Sequence, residues 1–502
     1  MTSLRACALM LGAAGTWLTG ARAEAQGYRL RLDSRAQRVS YRGVTVDSIL
    51  APQAVTAPTG GRQTPDGFAI RCPVSSLYCY FFRPGSEITG GPMVSSADLT
   101  LWGLGVRGLS LRMIGRIGVE LARSDAWPGT EPAVQLIEAY TEYAHRVFTV
   151  RGGRQLVANR LGTMGFDGGH VALRSDRYGL EADAYVGLGL ARATALPVTS
   201  PVLNPLDDFQ PRSRQVLAGV ALGHASPVVD IRADYQREVD RDTRNFVSER
   251  AALSIDVRPR QRWSVSAGVD YDLANTWFGN AEAAVRYTAP WITVAGGARQ
   301  YRPSFDLWTI WGAFSPVPYH AVNTAVWIRP VRGLELRGRW EGYAFSGTGT
   351  QTPLVDVDTD GWRVAAGITY TPTPAWTLDA GYREERGPGA SSHGFEGAAT
   401  YLPIPVLSLT AYASTLDRPL EFRFDDASAD AFGLDAEWSA TDRLRIAVGL
   451  ARYTENRDRP DAAAFDWDQT RLHARVTLLL HSDADALPLP PALRARPGAG
   501  SR

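Results

Sequence analysis

Residues 361–386 alternate apolar and polar side chains along two arms that meet at a short turn containing two prolines. The apolar positions of the two arms are Trp362, Val364, Ala366, Ile368, Tyr370, Trp376, Leu378, Ala380 and Tyr382. Successive side chains of a β-strand point to opposite faces, so this pattern predicts a β-hairpin with one apolar face and one polar face. Aromatic rings at the strand ends, with smaller aliphatic residues between them, are typical of a bilayer interface. The hairpin is therefore predicted to span a membrane.

The same alternation recurs over residues 98–480 at intervals of roughly 15 to 25 residues. Its connections alternate between tight turns and long loops, as they do at the periplasmic and extracellular ends of outer-membrane barrels. Counting through this alternation predicts an all-β fold, a transmembrane antiparallel β-barrel of about 22 strands within a range of 18 to 22. A soluble all-β protein is the alternative, but it has no need of aromatic strand ends or alternating connection lengths.

The composition argues against a nucleic-acid-binding protein and against a helical membrane protein. The 53 basic and 52 acidic residues leave a net charge of +1, which gives no support to a nucleic-acid partner. Beyond the N-terminus, no apolar run approaches the roughly 18 to 20 residues that a membrane helix requires. A chain of this kind that spans a membrane must therefore do so as a barrel, whose strands satisfy each other's backbone groups.

The two ends of the chain differ from the barrel sequence. Residues 1–25 combine an early arginine, an apolar stretch and small-residue cleavage sites near Ala23 and Ala25, which predicts a secretory signal peptide. Residues 26–480 are assigned to the barrel, and the proline- and alanine-rich residues 481–502 to a disordered periplasmic tail. The predicted location is the outer membrane of a Gram-negative cell. Its lipid, its lipopolysaccharide and the barrel-assembly machinery are the expected partners.

Two cysteines remain after cleavage, Cys72 and Cys79, within the Gly-, Pro- and Ser-rich residues 50–97. An even pair in an oxidising compartment favours a disulfide, with two unrelated thiols as the alternative. The segment lies between the first two strands, at the extracellular end. It either folds inward and narrows the pore, or it is an exposed loop that the disulfide protects from proteolysis. The second interpretation is preferred because most external loops do not plug their barrel.

If the apolar faces meet lipid, the opposite faces line a lumen, and these faces are charged. They are mainly acidic in the N-terminal half, where Asp270 and Asp272 belong to the set, and mainly basic in the C-terminal half. Opposite walls would then carry opposite charge and set a field that orients polar solutes. Alternatively, the charges pair across neighbouring strands and stabilise the wet interior. The candidate pore-lining residues on these faces are Asp230, Arg232, Asp234, Arg337, Arg339, Arg363 and Arg383.

The remaining motifs nominate no enzyme, metal or cofactor. The seven histidines are dispersed, without HExxH, a nucleophile elbow or Cys/His metal spacing. Asp356, Asp358 and Asp360 copy the opening of a calcium-binding EF-hand loop, but Gly367 stands where the closing glutamate belongs. We therefore expect a solvated acidic loop there.

Residues 136–174 contain three short motifs, Gly153-Arg154-Gln155, Asn159-Arg160-Leu161-Gly162 and Phe166-Asp167-Gly168. Their arrangement resembles that of alginate-export-like porins of Gram-negative outer membranes, although the chain lacks the fuller arginine cluster usual before the Phe-Asp-Gly step. The resemblance implies a barrel with an arginine-bearing lumen that passes anionic sugars or other polar solutes. The positions carried over are Arg151, Arg154 and Arg160.

Together these features predict a single-domain outer-membrane channel for passive diffusion or export of small polar or anionic solutes. The alternative is a closed barrel with a structural or surface-interaction role through its extracellular loops. About 20 or more strands leave a water-filled lumen unless a loop fills it, so the clearance of the pore separates the two hypotheses.

Overall fold

The computed structural model describes residues 27–56, 61–68, 70–73, 76–122, 134–190, 215–242, 244–302, 318–346, 359–387, 390–417, 426–458 and 467–482. The predicted signal peptide and nearly all of the predicted tail lie outside these residues. Within them, no helix is long and apolar enough to cross a membrane. A single turn of 3-10 helix, Ala51–Gln53, accompanies the strands.

In chain order the strands are β1 (Gly27–Leu50), β2 (Val55–Thr56), β3 (Arg62–Gln63), β4 (Ile70–Arg71), β5 (Tyr78–Gly90), β6 (Pro92–Trp102), β7 (Leu109–Glu120), β8 (Val134–Ala144), β9 (Phe148–Asn159), β10 (Gly162–Ser175), β11 (Leu180–Gly189), β12 (Gln215–Ala225), β13 (Val229–Asp240), β14 (Phe246–Arg260), β15 (Trp263–Asp272), β16 (Trp277–Thr288), β17 (Ile292–Tyr301), β18 (Tyr319–Val331), β19 (Leu334–Phe345), β20 (Asp360–Thr373), β21 (Trp376–Gly387), β22 (Ala390–Ile404), β23 (Leu407–Asp417), β24 (Asp426–Thr441), β25 (Leu444–Asp458) and β26 (Trp467–His481).

β1 and the strands from β6 to β26 form a closed antiparallel barrel of 22 strands. The lower half of β1 closes it, because Arg31 lies opposite Asp98 of β6 on one side and Leu479 of β26 on the other. Closure removes the free edges of the sheet, so the wall can cross an apolar layer with its backbone groups paired. The predicted fold class and strand number are confirmed.

Alternation along each strand separates an outer face from a lumen face. On β12, Val220 and Leu222 are 51% and 66% exposed on the outside, whereas the lumen-facing Leu217 and Ala221 are buried. Aromatic rings gather on the outer face at the turn end, where the rings of Trp376 and Tyr401 stack with centroids 4.5 Å apart. The outer surface therefore suits lipid, and its rings suit the interface.

β1 continues above the barrel. Its upper part, residues 39–50, pairs with β5, and a disulfide joins Cys72 to Cys79, the pairing that the sequence favours. Cys79 is fully buried, and Phe68 and Phe81 pack with ring centroids 5.5 Å apart. We call residues 39–90 the stapled hairpin. It lies at the end of the barrel that carries the long loops.

Candidate pore and its constriction

The hairpin formed by β9 and β10 leaves the barrel wall. β8 pairs with β9 only as far as Arg154, and the ladder between β10 and β11 ends at Phe166. Beyond these positions the two strands form a ladder with each other alone, among the described residues, and turn at Arg160 and Leu161. We call residues 155–165 the inward hairpin.

The tip of the inward hairpin reaches a distant part of the wall. Arg160 forms an ion pair with Glu282 of β16 at 2.8 Å, and Arg250 of β14 donates a hydrogen bond to the carbonyl oxygen of Leu161 at 3.0 Å. Gly268 of β15 leaves room for the guanidinium, which a Cβ at that position would meet. Six strand spacings separate β10 from β16, about 29 Å along the wall. The tip therefore crosses part of the lumen.

An apolar cluster inside the barrel holds the base of the inward hairpin. Phe166 is fully buried and stacks on Tyr185 of β11, with ring centroids 5.5 Å apart, and Met164 and Leu217 complete the cluster. These residues occupy lumen-facing positions, where a wet pore favours polar side chains. Burying each large side chain contributes about 1.5 to 3 kcal/mol, which is enough to keep the hairpin in one position.

Glycines permit the bend. Gly153 has a φ of 129°, in the region that favours glycine, and it lies opposite Gly168 in the ladder. A Cβ on Gly168 would meet the backbone of β11 at Val186. Glycine at both positions lets the strands turn out of the wall without a steric clash.

The three arginines that the family resemblance suggests have different environments. Arg151 faces the lumen and pairs with Glu142 at 2.5 Å. Arg154 occupies the opposite face of its strand and pairs with Asp167 at 2.7 Å. Only Arg160, at the tip, is carried across the lumen.

The acidic sector predicted for the N-terminal half is largely covered. Asp234, Asp270 and Asp272 are each no more than 9% exposed. Arg232 lies between Asp183 and Asp234, with N–O distances of 3.1 and 3.0 Å. The half-buried Asp230 lies near the turn end of β13. Arg232 thus balances two carboxylates of this sector, and Asp270 and Asp272 accept hydrogen bonds from Asn280 and Asn275. Burial keeps Asp234, Asp270 and Asp272 out of the open lumen.

Arginines dominate the lumen face from β17 to β21. Arg299, Arg339 and Arg363 converge on Glu341, with N–O distances of 2.8, 3.6 and 3.2 Å. Arg363 also pairs with Glu385 at 2.8 Å. Three guanidinium groups thus face two carboxylates, which leaves one formal positive charge. Arg337 joins this face through Asp379 at 2.7 Å, and Arg383 is exposed on it without an ion pair in the described part of the chain.

Two arginines of this cluster are more exposed to the lumen than either carboxylate, and Glu385 is 26% exposed. The side chain of Arg339 is 61% exposed and that of Arg363 is 45% exposed, against 2% for Glu341. Arg363 lies over the ring of Tyr343, 4.7 Å from its centroid, which fixes the plane of the guanidinium. We call Arg299, Arg337, Arg339, Arg363 and Arg383 the arginine wall.

Two members of this site were not among the predicted residues. Arg299 and Glu385 follow the same alternation as their neighbours, so the signal was present in the sequence. Their importance comes from contacts across strands, which alternation does not reveal.

The stapled hairpin joins the wall through β1 and through a hydrogen bond that the Gln469 side chain of β26 donates to the carbonyl oxygen of Ser40. In the described residues it forms no ladder or ion pair with a barrel strand other than β1. The exposed-loop interpretation of the disulfide stays a prediction, with the plug interpretation as its alternative.

Replacing Cys72 and Cys79 together with serine is therefore expected to leave the single-channel conductance unchanged. The loop closed by the disulfide is short, and removing the disulfide is expected to lower the local free energy of unfolding by about 2 to 3 kcal/mol. Limited proteolysis of intact cells should cut the variant several-fold faster within residues 51–77. Larger conductance steps in the variant would instead show that the segment narrows the pore.

In the EF-hand-like loop, Asp356 and Asp358 lie outside the described residues, whereas Asp360 begins β20. Within those residues, no group of three or more His, Cys, Asp or Glu side chains is placed to hold a metal ion.

A closed 22-strand barrel with an apolar outer face and a charged interior defines an outer-membrane β-barrel protein.

No known family profile matches the sequence, and no curated protein matches it significantly. Among solved structures, the chain is similar to a BenF-like porin from Pseudomonas fluorescens Pf-5, with 10% identity over 90% of this chain and 99% of that one and a TM-score of 0.42. It is also similar to outer membrane protein OpdK from Pseudomonas aeruginosa (11% identity, 91% and 99% coverage, TM-score 0.41). A third is OccK2 (OpdF) from the same organism, solved with glucuronate (12% identity, 90% and 98% coverage, TM-score 0.40). Similarity at this level does not bear on the solute.

Proposed function

We propose that this protein is a passive outer-membrane channel for small anionic solutes, which pass between the inward hairpin and the arginine wall. The observation that carries the proposal is the contrast in exposure between Arg339 at 61% and its partner Glu341 at 2%. A solute in the lumen meets guanidinium groups, while Glu341, on which three arginines converge, is covered. Fixed positive charge in a narrow aqueous passage raises the local concentration of anions.

The balance of charge suits transport more than tight binding. Guanidinium groups bind carboxylates with two parallel hydrogen bonds, which favours solutes that carry a carboxylate. Because Glu341 and Glu385 neutralise most of the cluster, the attraction stays modest, and a conducting site must release what it binds. The resemblance of residues 136–174 to alginate-export-like porins adds anionic sugars as the expected class. A passive pore has no preferred direction, so uptake and export differ only in the solute gradient.

The test is single-channel recording of the refolded barrel in a planar bilayer. We expect stable steps, a reversal potential in a KCl gradient that shows preference for chloride, and a reduced current when sodium glucuronate is added as an anionic sugar. A barrel that is verified as folded but never conducts would contradict the proposal. It would favour the closed barrel that acts through its extracellular loops.

A further inference from the structure

The upper part of the stapled hairpin has two unlike faces. On one face the ladder places Asp47 opposite Phe81 and Ile49 opposite Cys79, and the stapled segment covers both Phe81 and Cys79. The other face is open. The large side chains described on it are each between 43% and 48% exposed, and they are Val46, Leu50, Tyr78 and Tyr80.

This open face lies above the hydrocarbon layer. Residues 27–38 of β1 form the barrel wall, and twelve residues at a tilt of about 40° rise about 30 Å, which already exceeds the apolar band of about 25 Å. Val46 follows eight residues later, about 20 Å further out. Acyl chains therefore do not explain the apolar side chains on this face.

Arg71 of β4 lies directly opposite Tyr80 in the ladder and is exposed, so a guanidinium stands at the edge of the open face. The ion pair nearest to it, between Arg83 and Asp47 at 3.0 Å, belongs to the opposite face. Exposed leucine, valine and tyrosine grouped on a water-facing projection mark a binding surface. Tyrosine rings offer a flat apolar surface with a hydroxyl at the edge, and Ser48 between them adds a second hydroxyl. This combination matches a sugar, whose ring has an apolar C–H face and hydroxyls around its rim, and Arg71 adds a donor for a carboxylate or phosphate on that sugar.

The position of this face indicates where such sugars come from. The register shift between β1 and β5 inserts its extra residue in β5, so the alternation of β1 is unbroken. The open face is consequently the same face of β1 that carries Leu30 and Leu32 against lipid. It continues the outer surface of the barrel, at the height of the saccharides of the outer leaflet.

We propose that the open face of the stapled hairpin binds sugar residues of the lipopolysaccharide that surrounds the barrel. Tyr78 and Tyr80 supply the stacking surface, and the disulfide holds the segment that supports them. This contact is independent of conduction through the lumen.

The experiment uses the full-length protein in detergent and the lipid-free core oligosaccharide released from lipopolysaccharide, with binding measured by saturation-transfer NMR and titration. We expect the wild type to bind the oligosaccharide and Tyr78→Ala/Tyr80→Ala to bind it at least tenfold more weakly. A matched control, Tyr178→Ala/Tyr370→Ala, removes two exposed tyrosines at the turn end of the barrel and should bind as the wild type does. Tyr78→Phe/Tyr80→Phe keeps the rings and should retain most of the affinity, which excludes misfolding as the cause of a loss.

Three results would overturn the proposal. The first is equal binding by the wild type and the double alanine variant. The second is binding of intact lipopolysaccharide without binding of the lipid-free oligosaccharide, which would assign recognition to the acyl chains. The third is an equal loss in the turn-end control. Because the conductance of the double alanine variant should match that of the wild type, failure here and failure of the proposed channel are distinguishable.

Discussion

Replacing residues 156–165 with an Asn-Gly turn is expected to raise the single-channel conductance about two- to fourfold. The replacement joins Gln155 to Phe166, which already face each other in the ladder, and Asn-Gly suits a two-residue hairpin. It removes the segment that crosses to Glu282, and a barrel of about 22 strands is wide enough to hold an aqueous channel once nothing spans it. The measurement is the conductance in a planar bilayer at high salt, where charge effects are small.

A less drastic variant tests the same structure. Phe166→Ala removes a fully buried ring that stacks on Tyr185, and such a change costs about 3 to 5 kcal/mol in a packed cluster. The inward hairpin should then move, and the open-channel current should become noisier. Phe395→Ala is the control, because its ring is 58% exposed on the outer face. If both the shortened hairpin and Phe166→Ala conduct as the wild type does, the inward hairpin does not set the width of the pore.

Opposite charge changes in the arginine wall are expected to move ion selectivity in opposite directions. Glu341→Gln keeps the shape of a side chain that is 2% exposed but removes the charge on which three arginines converge, so the preference for anions should increase. Arg339→Gln/Arg363→Gln should decrease it. One unit charge about 8 Å from a permeating ion, at an effective dielectric constant of about 50, changes its energy by about 0.8 kcal/mol. The permeability ratio should therefore change about fourfold for the first variant and about tenfold or more for the second.

The reversal potential in a KCl gradient measures both effects. Both should shrink between 0.1 and 1 M salt, because the screening length falls from about 10 Å to about 3 Å. Arg386→Gln is the matched control, since Arg386 lies on β21 but pairs with Glu384 on the outer face. A shift of the same sign in the two lumen variants, or an equal shift in the control, would contradict the assignment of the arginine wall to the conduction path.

Much of the architecture followed from local sequence pattern. Alternation identified the lipid-facing and lumen-facing sides of each strand, because successive side chains of a strand must point to opposite faces. The alternation of short and long connections identified the two ends of the barrel and led to the 22 strands of its wall. The disulfide between Cys72 and Cys79 followed from an even cysteine count in a chain predicted to enter an oxidising compartment.

The inward hairpin had a weaker sequence signal. Phe166, Tyr185 and Leu217 are bulky and apolar at positions that alternation assigns to the lumen, and each therefore conflicts with a simple wet pore. Taken locally, the glycines at 153 and 168 indicate only a bulge or a close backbone approach. These glycines permit a bend, and the bend is stabilised by the apolar cluster that Tyr185 of β11 and Leu217 of β12 complete.

The sequence by itself determined which side chains face the lumen, because that depends only on the geometry of a single strand. Only the tertiary structure decided what those side chains meet. Arg160 and Glu282 are 122 residues apart, and they come together because the barrel closes and the hairpin leaves its wall. The same closure covers Asp234 and Asp270 and leaves Arg339 and Arg363 open to water. The charge that a permeating ion meets therefore depends on burial and cross-strand pairing, and local sequence patterns do not predict either of them.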